Sequence, residues 1–174
     1  MENVLYEYHF DVIGFLPNFI PLFVGAGFLL YSICAKRAGV GPGYALVDRF
    51  FGIIGFIVGP LAIGLFIVLT YGTVAEHIEL KERLASDDVL VVEGYVENYH
   101  PMPAGGHDTE HFEIDGSYFE YSDYVMTNGY HHAASLGGVV TRNGQYLKIK
   151  YVVREYDEMT ENVILYIAEI ALPK

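Results

Sequence analysis

Five of the seven histidines fall in two polar stretches. His100, His107 and His111 lie in or beside the first, and His131 and His132 are consecutive in the second. The run His107-Asp108-x-Glu110-His111 places four possible ligands within five residues. Imidazole with carboxylate is a donor set that zinc or copper accepts, so a metal-responsive sensor is one function class these loops allow. The spacing follows no recurrent ligand pattern, however, and both groups sit among glycines and small polar residues. That favours solvated histidines, with no resident metal or cofactor. Hydrolytic chemistry would need Ser122-Asp123 or Ser135 beside one of these imidazoles. No G-x-S-x-G, H-E-x-x-H or S-x-x-K occurs, and a scattered Ser, His and Asp arise in almost any domain of this size. The sequence predicts a protein that is not an enzyme.

The tyrosines suggest binding instead. Ten of the fifteen follow Thr73. A tyrosine joins a large apolar ring to a polar tip and is enriched at binding surfaces, but it is also a good strand residue. Phe119 and Tyr121 alternate in phase and read as core. Tyr118, Tyr124 and Tyr130, with His107, His111, His131 and His132, are the candidates for an exposed interaction surface. Stacking on nucleic-acid bases is disfavoured by charge. The net charge is −12, and from Thr73 onward 18 acidic residues face 7 basic ones, a surface that repels phosphates.

The elements that must position these groups begin with two apolar runs, at about 12–35 and 50–71. Each exceeds the roughly 20 residues that cross a hydrocarbon core, and neither carries an internal charge. They predict a transmembrane helical hairpin within residues 1–72, preceded by a short acidic tail over residues 1–11. Pro17 and Pro21 lie early in the first run, where they kink a helix rather than abolish it. Gly39, Gly41, Pro42 and Gly43 mark a turn between the runs. Gly52, Gly55 and Gly59 share one helix face, and small residues so spaced let two helices approach closely. They serve either homodimerisation or packing of the second span on the first, and the tethered partner favours the latter. Glu2, Glu7 and Asp11 precede the first run without any Lys or Arg, which argues against a cleaved leader. Cys34, the only cysteine, excludes an internal disulfide. Lys36, Arg37 and Arg49 lie between the runs, so the positive-inside rule places that loop in the cytoplasm and both ends of the chain outside.

Beyond Tyr71, residues 73–88 read as a helical stalk continuing the second span, and residues 89–174 as a soluble β domain. Val89–Tyr99 forms a first strand, with Gly94 as a bend or bulge. Asp115-Gly116 is a hairpin turn between His111–Ile114 and Ser117–Ser122. Residues 100–110 and 123–143 are loops, the second long enough to suggest function. Gln145–Glu155 and Asn162–Leu172 complete about five strands. The predicted fold class is α+β: a two-helix transmembrane hairpin followed by a small five-stranded antiparallel β-barrel of the OB or SH3-like kind, with a three-on-two sandwich as the alternative.

The order E-x-F-x-I-x-G-x-x-F-x-Y-S-D-Y, then Gly137-Gly138, then N-G-x-x-L-x-I-x-Y resembles a β domain of uncharacterised bacterial membrane proteins with an N-terminal two-helix hairpin. The resemblance covers about residues 89–170. Val139 and Val140 follow the glycine pair where that pattern has a proline. It implies a bacterial envelope protein with an ordered barrel and supplies no activity; with the two spans, the expectation is a multi-pass protein of the bacterial inner membrane. The residues together predict a non-catalytic membrane protein whose β domain, outside the cytoplasm, engages an envelope protein or a second copy of itself. An accessory subunit of a membrane protease or quality-control complex is the remaining alternative.

Overall fold

The computed structural model describes residues 2–38, 45–125, 128–156 and 159–171. The glycine-rich turn of Gly39, Gly41, Pro42 and Gly43 lies outside the described residues. Contacts divide the chain into two compact units, residues 11–76 and residues 1–10 with 77–174.

The first unit is the apolar hairpin. Asp11 caps α1 (Val12–Phe15), its carboxylate accepting from Ile13 N–H at 2.9 Å. A 3-10 turn over Leu16–Phe19 holds Pro17, and α2 (Ile20–Ala38) follows with Pro21 in its first turn. At that position the missing proline N–H leaves no helical hydrogen bond unmade. The second helix, α3 (Ala45–Ala85), runs 41 residues through Pro60. Glycines join the two helices: a Cβ on Gly59 would lie 2.5 Å from Leu29 Cγ, and one on Gly25 would lie 2.8 Å from Gly59 O. A Cβ on Gly55 would meet Phe28 O at 2.6 Å and collide with the Ser32 hydroxyl. Gly55 and Gly59 therefore seat α3 on α2 of the same chain. Gly52 does not share in this, since a Cβ there meets nothing within 4 Å. Asn18 donates to Thr73 Oγ1 at 3.1 Å near the open end of the hairpin.

The second unit is α+β, with seven strands in two antiparallel sheets among the described residues. The larger has the order β1-β7-β6-β2, built from β1 (Glu2–Glu7), β2 (Leu90–Tyr95), β6 (Tyr146–Tyr156) and β7 (Met159–Ile170). The smaller has the order β3-β4-β5, built from β3 (Glu97–His100), β4 (Glu110–Ile114) and β5 (Ser117–Tyr121). A closed five-stranded barrel is thus not what forms. The acidic tail contributes a strand, Glu2 pairing with Ile170 and Glu7 with Tyr166. The first expected strand is split at buried Val96, whose N–H donates to Gln145 O and whose carbonyl accepts from Gly144 N–H. Its two halves join different sheets. Gly94 is not the bend. It lets β4 pass close by, with Ile114 Cγ2 3.1 Å from where its Cβ would be. On the other side the sheets are linked through Asn162 Nδ2, which donates to Tyr118 O at 2.8 Å, but among the described residues no ladder joins β5 to β7.

One core lies between the sheets, where Phe112, Ile114, Phe119 and Tyr121 meet Val92, Leu147, Ile149, Ile164 and Ile167. A second cluster covers the opposite face of the larger sheet. There Leu80 and Leu84 of α3 pack with Tyr8, Val152, Val163 and Leu165. The expected stalk is therefore a helix whose last turns belong to the β unit. Leu165 has no partner across β6, because Lys150 pairs with Tyr166 and Tyr151 with Ile164. That bulge lets β7 feed both cores.

Candidate interaction site

The β4–β5 hairpin turns as its sequence demands: Asp115 (φ 46°) and Gly116 (φ 75°) are both left-handed, as a two-residue primed turn requires. In-register pairing of Phe112 with Phe119 and of Glu110 with Tyr121 directs all four inward. Glu110 is therefore a fully buried carboxyl. Four donors satisfy it: Tyr121 Oη (2.8 Å), Tyr99 Oη (3.1 Å), Ala134 N–H (3.0 Å) and, more distantly, Met102 N–H (3.4 Å). Met102 belongs to the loop after β3 and Ala134 to the loop after β5, so one carboxyl anchors both loops from below. Burial, and then the neighbouring Tyr130 and Glu110, push the Tyr121 phenol far above its ordinary range. Burial and Glu110 likewise push Tyr99 up.

From above, the loops meet at Tyr124. Its ring lies over Gly106 (φ 73°), where a Cβ would come within 2.9 Å of Tyr124 Cε2, and its hydroxyl donates to Ala104 O at 3.4 Å. Asp123 fixes the next stretch by accepting from Ala133 N–H at 2.6 Å and from His132 Nδ1 at 3.1 Å. Tyr130 accepts at its hydroxyl from Val139 N–H at 2.6 Å, and Tyr130 N–H donates to Ile164 O at 2.8 Å. The long connection is thus tied down along its described length. At its surface Tyr124 is 63% exposed, and Val125 and Leu136 of the same connection are exposed too.

The seven residues expected on one surface divide three ways. Tyr124, His131 and His132 lie on the long connection, and His107 is exposed on the facing loop with φ 71°. Tyr118 and His111 instead occupy the outer face of the smaller sheet. There the His111 ring stacks on His100 at 4.6 Å, and Tyr118 lies 5.7 Å beyond. His100 Nε2 is 2.9 Å from Asp108 Oδ2, a bond that holds the exposed Asp108 carboxyl below its usual range, helped by Thr109 N–H. Burial, then the hydrogen bond to Glu120, push Tyr118 up to about 12. Tyr130 belongs to neither surface. It is 4% exposed and packs edge-on against Tyr121 and Tyr6, so it is core, and burial pushes its phenol up to about 12. Ser122 is buried too, with its hydroxyl 3.4 Å from Met102 Sδ and accepting from Tyr124 N–H.

The sequence reading missed Glu110, Asp123 and Tyr99 as organisers. Glu110 was legible in principle, because it stands in phase with Phe112 and Ile114 once the strand is extended by one residue. Comparison with known proteins found no matching family model, no similar curated protein and no similar solved structure.

Proposed function

We propose that this chain is an integral membrane protein whose hairpin crosses a bilayer twice and whose β domain is a non-catalytic interaction module outside the cytoplasm. Two helical stretches, Val12–Cys34 and Phe50–Ala85, are long and apolar enough to cross a membrane. Few of their side chains are buried, unlike those of a core helix, and Phe23, Leu30, Ile57, Leu61 and Val68 all stand exposed. Water would oppose such a surface, whereas lipid accommodates it. An even number of crossings also accords with residues 1–10 and 77–174 forming one folded unit. The basic residues Lys36, Arg37 and Arg49 between the spans support an outward β domain.

The observation that carries the interaction reading is the paired anchoring of the two loops, by Glu110 beneath and Tyr124 above. Exposed apolar and aromatic groups held on pre-ordered loops bind with little entropy left to lose. The partner class is another envelope protein or a second copy of the chain. Two experiments test the reading. A phosphatase reporter fused after Lys174 should be active and a cytoplasm-dependent fluorescent protein dark; the reverse pattern rejects the outward orientation. Tyr124→Ala should leave the domain folded and reduce partner capture by crosslinking at least several-fold. Unchanged capture would remove the loop end as the interaction site.

A further inference from the structure

His131 and His132 form a pair unlike the other histidines. Their ring centres are 4.6 Å apart and their planes are inclined at 42°. His131 Nδ1 lies 3.0 Å from Gly129 O, and His132 Nδ1 lies 3.1 Å from Asp123 Oδ1. A carbonyl and a carboxylate only accept, so in the neutral rings each Nδ1 carries the proton and each Nε2 presents a lone pair. Neither Nε2 has a hydrogen-bond partner among the described residues, and the His132 side chain is 54% exposed. Fixing one ring nitrogen by a carbonyl or carboxylate while the other stays free is how metal-binding histidines are oriented. Asp123 is itself held, because its second oxygen accepts from Ala133 N–H at 2.6 Å.

The spacing is within reach of a single shared ion. An ion bound at Nε2 sits roughly 3.2 Å from the ring centre, given metal–nitrogen bonds of about 2.1 Å. Two such rings at a right angle have centres about 4.6 Å apart, and at the tetrahedral angle about 5.3 Å. At 4.6 Å the two rings are close enough for one ion to bind both. The other close pair, His100 and His111, is stacked at 14°, and His100 Nε2 is already bound to Asp108 at 2.9 Å, so that pair lacks two free Nε2 atoms. No group of three His, Cys, Asp or Glu side chains could hold a metal ion among the described residues. The protein supplies two ligands, leaving positions for water or a donor from a docked partner. A net charge of −12 raises the local concentration of any divalent cation.

We propose that His131 and His132 form a surface site for a tetragonal divalent transition ion, copper(II) or nickel(II), bound through two cis Nε2 atoms. It stands whether or not the loop end also binds a protein. The test uses the full chain without an affinity tag, in detergent, titrated with copper(II) buffered by free glycine and read by electron paramagnetic resonance. One copper per chain with a tetragonal spectrum and coupling to two imidazole nitrogens is expected. His131→Ala and His132→Ala should each lower the affinity at least tenfold, with near-ultraviolet circular dichroism unchanged. The double variant His100→Ala/His111→Ala should bind as the parent does. Copper binding that survives both single substitutions, or that is lost in the double variant instead, overturns the site.

Discussion

The two units of this chain use tyrosine and glycine in opposite ways. In the hairpin, contact is made by what is absent: Gly25, Gly55 and Gly59 let backbone and Ser32 or Leu29 fill the space a side chain would take. In the β unit, contact is made by large rings whose polar tips find partners, as those of Tyr99 and Tyr121 do on Glu110. For a hairpin that lies in a bilayer as proposed, the difference follows from solvent. Lipid gives apolar side chains no reason to leave it, so helices associate by close fit. Water drives rings inward, and their hydroxyls must then find partners.

The comparison is broken most severely at Glu110. Glu110→Ala strands two phenols and two N–H groups in the core, and should destabilise the β unit by about 3–5 kcal/mol, read by chemical denaturation. Glu110→Gln, which keeps an acceptor, should cost clearly less. A loss no greater than that of a surface substitution would show that the loops are held by packing alone. In the hairpin, Gly55→Ile or Gly59→Ile should weaken helix association by about 1–3 kcal/mol through overpacking, whereas Gly52→Ile should change it by less than about 0.5 kcal/mol. Equal effects at all three would return Gly52 to the packing face. The smallest effect is alkaline. Tyr130 ionises near its ordinary value of 10.0 in the unfolded chain but near 12 when buried. The stabilisation is complete below pH 10 and lost as pH rises towards 12, on the order of 1–2 kcal/mol. Tyr130→Phe should flatten that decline, and a decline of undiminished slope would assign it to other phenols.

Much of this was legible along the chain because it is local. The Asp115-Gly116 turn, the alternation through Leu147, Ile149 and Tyr151, and the two apolar helices each announce themselves within a dozen residues. The failures are non-local. Residues 2–7 look like an acidic tail because an edge strand exposed on much of its surface shows little alternation, and its partner lies at the far end of the sequence. Val96 divides a strand through hydrogen bonds to Gly144 and Gln145, which nothing near it in sequence reveals. Tyr130 looked like a surface residue because its neighbours His131 and His132 are polar, yet its ring goes to Tyr6 and Tyr121. The carboxyl of Glu110 reads as solvent-facing until the two tyrosines that receive it are placed.

The pairing of β1 with β7 bears on the order of events during biogenesis. Glu2 accepts from the Tyr166 hydroxyl across 164 positions of sequence, and contacts of such span are made late. As the chain is synthesised, the first strand must wait until both helices and nearly all the β unit have emerged. For a chain inserted as proposed, a first helix that crossed without the second returning would leave β1 and β7 in different compartments. The larger sheet could then never gain its edge strand. Completion of that sheet would thus be a built-in check on insertion, passed only by chains whose two ends reached the same side.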